Sequence, residues 1–331
     1  MKESFRVVVT DVLTDDLGIE RGVLADVADV DSLGAQCEGD LVGRIEDADA
    51  IMLYHKVTIS ASIIERLKHC RLIVRCGVGY DNVDIAAARQ RGIPVANVPD
   101  YGSEEVADTA IGMMLSLARG IGQLNSLLRS AAAPWEHTPV APLARLRGRG
   151  FGVVGLGRIG SAVALRAKAI GMDVVYYDPY KEDGYDKALG IRRVGSMEAL
   201  LEASYALSLH CPLTDATRRM IDRSAIDRMP RRALLINTAR GEIVDTASLP
   251  DAIAEGQLGG AAIDVLPTEP PAEDDPLIRA WRDPGHPAYH RLLVNSHAAF
   301  YSEEGIVEMR SKSAQACRRA LLGQALSNVV N

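Results

Sequence analysis

The sequence predicts an α/β chain built as two doubly wound parallel-sheet domains. Short apolar runs alternate with helical patterns throughout, the signature of parallel α/β architecture. The runs are almost continuously apolar, as strands covered on both faces must be. The length of 331 residues suits two cores at roughly 150 residues per domain.

The first strands are expected at 5–11, 50–54, 72–77 and 94–98, with a helix at 60–68. The N-terminal apolar run soon meets Asp11, Asp15 and Asp16, so it reads as a strand and not as a signal peptide. Residues 131–147 carry Pro134, Pro139 and Pro142 and no strand pattern. They read equally as a surface connection or as an arm on a partner subunit. A second series of strands is expected at 151–155, 174–178, 206–211, 234–237, 261–265 and 292–296. The helix 159–170 puts Ile159, Val163, Ala167 and Ile170 on one face. Six strands with crossover helices complete one doubly wound domain. An amphipathic helix at 302–322 is expected to return to the first domain and make it discontinuous. The first domain would then comprise 1–101 and 299–331, and the second 102–298, with the active site in the cleft between them.

Hydrophobic residues make up 47% and charged residues 24%, ordinary values for a soluble globular protein. The net charge of −7 with no basic stripe argues against nucleic-acid binding. No apolar run approaches the roughly 20 residues that span a bilayer. The five cysteines show neither CxxC nor zinc-ligand spacing, so no metal site or disulfide framework is expected. A reducing cytoplasm fits that usage.

The run Phe151-Gly-Val-Val-Gly155-Leu156-Gly157-Arg158-Ile159-Gly160 carries G-x-G-x-x-G after an apolar strand and at the start of a helix. Gly155 permits the tight turn and Gly160 a close helix–strand approach. Gly157 lets amides reach a pyrophosphate at the helix N-terminus. Asp178, ending the next strand, suits the ribose hydroxyls and repels a 2′-phosphate. These residues predict a Rossmann-like dinucleotide site that favours NAD over NADP.

Three further motifs follow later strands: Asn237-Thr-Ala-Arg240-Gly, Asp264-Val-Leu-Pro-Thr-Glu269 and Ser296-His297-Ala-Ala-Phe300. Ligands of open α/β sheets sit at that carboxyl edge. Reduction of a 2-keto acid needs a hydride, a proton donor at the carbonyl oxygen and a cation for the carboxylate. Histidine titrates near neutrality and suits reversible proton transfer. A carboxylate behind it fixes the ring, and arginine offers a fork of donors. Singly, each residue reads as an ordinary loop side chain; their conjunction behind a dinucleotide fingerprint points to His297, Glu269 and Arg240. The stretch Val74-Arg75-Cys76-Gly77-Val78-Gly79-Tyr80-Asp81-Asn82 reads either as an anion nest or as a plain turn.

These motifs, with Tyr54-His55, Asn97-Val-Pro99 and Tyr177-Asp-Pro-Tyr180, resemble the D-isomer-specific 2-hydroxyacid dehydrogenase family from about residue 54 to 318. Within it the chain resembles most the C-terminal binding protein (corepressor-like) branch. The resemblance implies Arg240, Glu269 and His297 as the catalytic set. It implies the Val78 and Gly79 amides as a carboxylate cradle, with Tyr54, His55 and Arg75 lining the substrate pocket. Cofactor contacts carry over to Gly155, Leu156, Gly157, Arg158, Ile159, Gly160, Asp178, Cys211, Thr217, Thr238, Ala239, Arg240, Asp264 and His297. Phe300 replaces that branch's tryptophan, and residues 274–290 look like an insertion at the rim. The resemblance also implies a homodimer, and it raises an NAD(H)-sensing scaffold as the alternative to a D-2-hydroxyacid dehydrogenase.

Overall fold

The computed structural model describes residues 4–13 and 15–331. The chain divides into two compact units, Met1–Gly102 with Ser302–Asn331, and Ser103–Tyr301. Both are parallel α/β sheets covered by helices.

The first unit holds β1 (Phe5–Val9), β2 (Ala28–Ser32), β3 (Ala50–Leu53), β4 (Leu72–Arg75) and β5 (Val95–Asn97), in the order β2-β1-β3-β4-β5. Val8, Ile51, Leu53 and Ile73 are fully buried in one core cluster. The helix Glu303–Leu321 belongs to this unit and starts where Ser302 Oγ accepts the Gly305 amide at 2.9 Å. Its Arg310 donates from Nε to Glu20 Oε1 at 2.7 Å and from Nη2 to Asp15 Oδ1 at 3.0 Å. Glu20 is 0% exposed, so the chain's two ends are tied by a buried ion pair.

The second unit holds β6 (Gly150–Val154), β7 (Asp173–Tyr177), β8 (Arg192–Arg193), β9 (Ala206–Leu209), β10 (Ala233–Asn237), β11 (Leu258–Ile263) and β12 (Leu292–Val294). Their order is β12-β11-β10-β9-β6-β7-β8. The order reverses between β6 and β9, the switch point at which doubly wound sheets bind ligands. Two apolar clusters belong to this unit.

Several expectations need correction. Each sheet has one strand more than the apolar runs predict. β2 was missed because an edge strand alternates, with Ala28 and Val30 buried and Asp29, Asp31 and Ser32 exposed. β8 is two arginines at an edge of the second sheet, too short and too polar to be seen. On the helix Arg158–Ala169 the buried face is Gly160, Val163, Ala164 and Ala167. Ile170, assigned to that face, caps the helix and is 38% exposed. Residues 131–147 form a loop with one short turn, Thr138–Val140.

Candidate active site

The glycine loop follows β6 at the switch point. Gly155 has φ +84°, and a Cβ there would stand 2.9 Å from the Cys211 amide nitrogen. A Cβ on Gly160 would stand 2.0 Å from the Gly155 carbonyl oxygen, so only glycine lets the helix dock on the strand. A Cβ on Gly157 would meet nothing within 4 Å, so space is open in front of the helix N-terminus. Asp178, just past β7, accepts the Leu156 amide at 2.8 Å and the Tyr180 amide at 2.9 Å. Its carboxylate therefore braces the loop. About two of a carboxylate's four lone-pair positions remain for another donor.

Cys211 stands against Gly155, and burial pushes its thiol up to about 12, so it is neutral. Its neighbour His210 bonds through Nε2 to Ser208 Oγ at 2.8 Å. Desolvation pushes His210 down to about 3, so it too is neutral. Thr217 Oγ1 donates to the Pro212 carbonyl at 2.7 Å and closes the following turn. Thr238 Oγ1 is buried and has no hydrogen-bond partner among the described residues. An open helix N-terminus, a carboxylate after β7 and an orphaned hydroxyl after β10, all at the sheet's carboxyl edge, fit a dinucleotide.

β10, β11 and β12 are neighbours, and their carboxyl ends carry the polar set. His297 Nδ1 lies 2.8 Å from Glu269 Oε2, and Glu269 Oε1 accepts the Leu266 amide at 2.8 Å. His297 has φ +55°, left-handed for a bulky residue, and its amide donates to the Asp264 carbonyl at 2.7 Å. Asp264 is 2% exposed and its Oδ1 accepts the amides of Ala298 and Ala299 at 3.0 and 3.1 Å. Burial raises its pKa, while those amides and the His297 charge oppose the rise. Asp264 thereby holds the backbone on both sides of His297 in a strained turn. The Phe300 ring meets the imidazole edge to face, with centroids 6.2 Å apart.

Arg240 is half-buried just past β10, and its Nη1 donates to the Ala239 carbonyl at 2.8 Å. Asn237, fully buried, shapes this turn: Nδ2 donates to the Arg240 carbonyl at 2.8 Å and Oδ1 accepts the Ala239 amide at 3.0 Å. A Cβ on Gly241 would stand 2.0 Å from the Leu266 carbonyl carbon, so the Arg240 loop rests directly on the loop leading to Glu269.

In the first unit Arg75 ends β4, and Val78 and Gly79 follow it. Arg75 is 7% exposed, and its Nη1 donates to the Cys76 carbonyl at 3.1 Å. Its guanidinium lies where a Gly77 Cβ would be. His55 is exposed, whereas Tyr54 is 3% exposed with its hydroxyl buried, so the ring packs inside this unit. Asp11, 0% exposed, accepts the amides of Tyr54 at 2.9 Å and Lys56 at 2.7 Å. Asn82 Nδ2 donates to the Tyr54 and Val57 carbonyls, both at 2.8 Å. Sequence reasoning missed Asp11 and Asn237 as positioning residues; the one signal was a polar side chain ending an apolar strand.

The D-isomer specific 2-hydroxyacid dehydrogenase NAD-binding domain matches residues 111–297, inside the second unit. The D-3-phosphoglycerate dehydrogenase of Methanocaldococcus jannaschii is 34% identical over 326 residues, which are 98% of this chain. The chain spans 59% of that relative's length. The glyoxylate reductase of Korarchaeum cryptofilum is 36% identical over 88% of this chain and 85% of its own. The crystal structure of D-lactate dehydrogenase from Aquifex aeolicus, complexed with NAD and lactic acid, superposes with TM-score 0.85 at 25% identity, covering 96% of each chain. With the family's NAD-binding domain matched over more than half its length, and relatives of that kind matched along nearly all of it, the chain belongs to the D-isomer specific 2-hydroxyacid dehydrogenase family.

Proposed function

We propose that this chain interconverts a small 2-keto acid and the matching D-2-hydroxy acid with NAD(H). The observation that carries the reading is the 2.8 Å bond from His297 to Glu269, at strand ends consecutive with that of Arg240. The names of the relatives, a phosphoglycerate dehydrogenase, a glyoxylate reductase and a lactate dehydrogenase, support a small hydroxy-acid substrate.

The residues that would hold NAD are the glycine loop from Gly155 to Gly160, Asp178, Cys211, Thr217, Thr238 and Asp264. The chemistry NAD(H) supplies when bound is hydride transfer at the substrate carbon. His297 Nε2 gives a proton to the carbonyl oxygen in reduction and takes it back in oxidation. Glu269 holds Nδ1, fixing the ring and offsetting the charge that moves with the proton. Arg240 forks onto the carboxylate and the carbonyl oxygen. In the first unit, the amides of Val78 and Gly79 are assigned to the substrate carboxylate, and Tyr54, His55 and Arg75 to the lining of the substrate pocket. Phe300 shapes the wall beside the imidazole. This pairing supports turnover over a scaffold role, and Phe300 sets the chain apart from the corepressor-like branch. A homodimer is supported by the helix Ile121–Arg129, which has no buried residue, and by Trp135, 89% exposed beyond it.

The test is NADH oxidation over a panel of 2-keto acids that includes glyoxylate, pyruvate and a phosphorylated C3 acid. At least one should turn over at about 1 s⁻¹ or faster. NADH should exceed NADPH by about tenfold in kcat/KM, because the Asp178 carboxylate opposes a 2′-phosphate. Tight NADH binding with no turnover of any acid would favour the scaffold instead.

A further inference from the structure

At the opposite edge of the second unit's sheet, the amino ends of β10, β11 and β12 surround a cavity of about 340 Å³. Arg231 and Arg232 precede β10, and Arg291 precedes β12. All three line the cavity, and none of its lining residues is acidic. The chain as a whole carries a net charge of −7, so this concentration of positive charge runs against the bulk.

The arginines have no carboxylate partner among the described residues. Arg231 Nη2 donates to the Glu255 carbonyl and Arg232 Nη2 to the Pro142 carbonyl, both at 3.0 Å, and Arg291 Nε to the Gly259 carbonyl. The carboxylate of Glu255, beside Arg231, is taken instead by Arg223 at 2.5 Å. A guanidinium has five N–H donors, so most donors of the trio are left for solvent or a ligand. Burial and the charge of Arg232 both push the Arg291 pKa below the ordinary arginine value. Arg232 and Arg291 are thus like charges held near one another, with backbone carbonyls and no carboxylate as their partners among the described residues. Ile253, Leu258 and Pro287 supply an apolar wall.

We propose that this cavity is an anion site for a phosphate group, free or borne on a small metabolite. A doubly charged oxyanion matches the guanidinium donors that line one cavity, and the apolar wall suits a short carbon chain. The volume is in the range of small-molecule sites. The site is separate from the one assigned to Arg240, which follows the far end of the five-residue β10, about 16 Å away at roughly 3.3 Å per residue.

The experiment titrates inorganic phosphate into the full chain saturated with NADH, at constant ionic strength set with chloride, by calorimetry. Three proteins are compared: the unaltered chain, Arg240→Gln, and Arg231→Gln with Arg291→Gln. Phosphate should bind the first two alike and the double variant at least about tenfold more weakly. Glycerol 3-phosphate binding more tightly than inorganic phosphate assigns the site to a metabolite; the reverse assigns it to free phosphate. Binding that is absent at tens of millimolar, or that disappears with Arg240→Gln alone, overturns the proposal. So does a double variant that keeps its phosphate affinity, or that changes oligomeric state with no effect of phosphate on either protein. If the double variant does not fold, Arg231→Gln alone, at an exposed position, must weaken binding by about threefold or more, and unchanged affinity there overturns it equally.

Discussion

His297 keeps a left-handed backbone because Asp264 accepts from the two amides after it and offers its own carbonyl to the His297 amide. Glu269 is fixed as firmly: one oxygen takes the Leu266 amide and the other the imidazole. Replacing Glu269 by Gln preserves the size of the side chain and removes the charge. The kcat for keto-acid reduction should fall by about 10–100-fold, and the Kd for NADH should stay within about twofold. Equal kcat in stopped-flow turnover would show that the carboxylate only shapes the loop. The three motifs carrying this site were legible because a polar side chain directly after an apolar strand has few structural uses at a sheet's carboxyl edge. Asp11 and Asn237 carry the same signal of a polar residue at a strand end, but their role on backbone amides and carbonyls is shown only by the fold.

Loops position these groups by packing directly on one another. The Arg240 loop can lie on the Leu266 loop only because residue 241 lacks a side chain. Gly241→Ala should push the two loops apart and separate Arg240 from the His297–Glu269 pair. The expected result is a kcat/KM loss of about 2–4 kcal/mol with NADH affinity retained, read from steady-state kinetics and fluorescence titration. Unchanged kinetics would mean that the loops yield without cost. The central strands were legible as continuous apolar runs, because both faces are buried. β2 and β8 were not, since β2 alternates buried with charged residues and β8 is two arginines, whereas the other two edge strands, β5 and β12, are apolar enough to read.

At the scale of the whole chain, both termini build the first unit, and the Glu20–Arg310 pair joins them inside it. Removing Glu20 leaves the buried Arg310 with only the half-exposed Asp15 to compensate it. Glu20→Ala should therefore cost about 3 kcal/mol in urea unfolding, while Glu20→Leu with Arg310→Met should cost less. A double variant weaker than the single one would contradict that electrostatic account. The return of the last helix to the first unit was expected from its amphipathic pattern after the final strand; the ion pair that fastens it was not, because its partners are 290 residues apart. The central claim, that His297 is the proton donor of a keto-acid reductase, is tested most directly by His297→Ala, with kcat and the NADH Kd measured on one preparation. The account predicts a kcat loss of about 10²–10⁴ with the NADH Kd unchanged; full retention of kcat would contradict it.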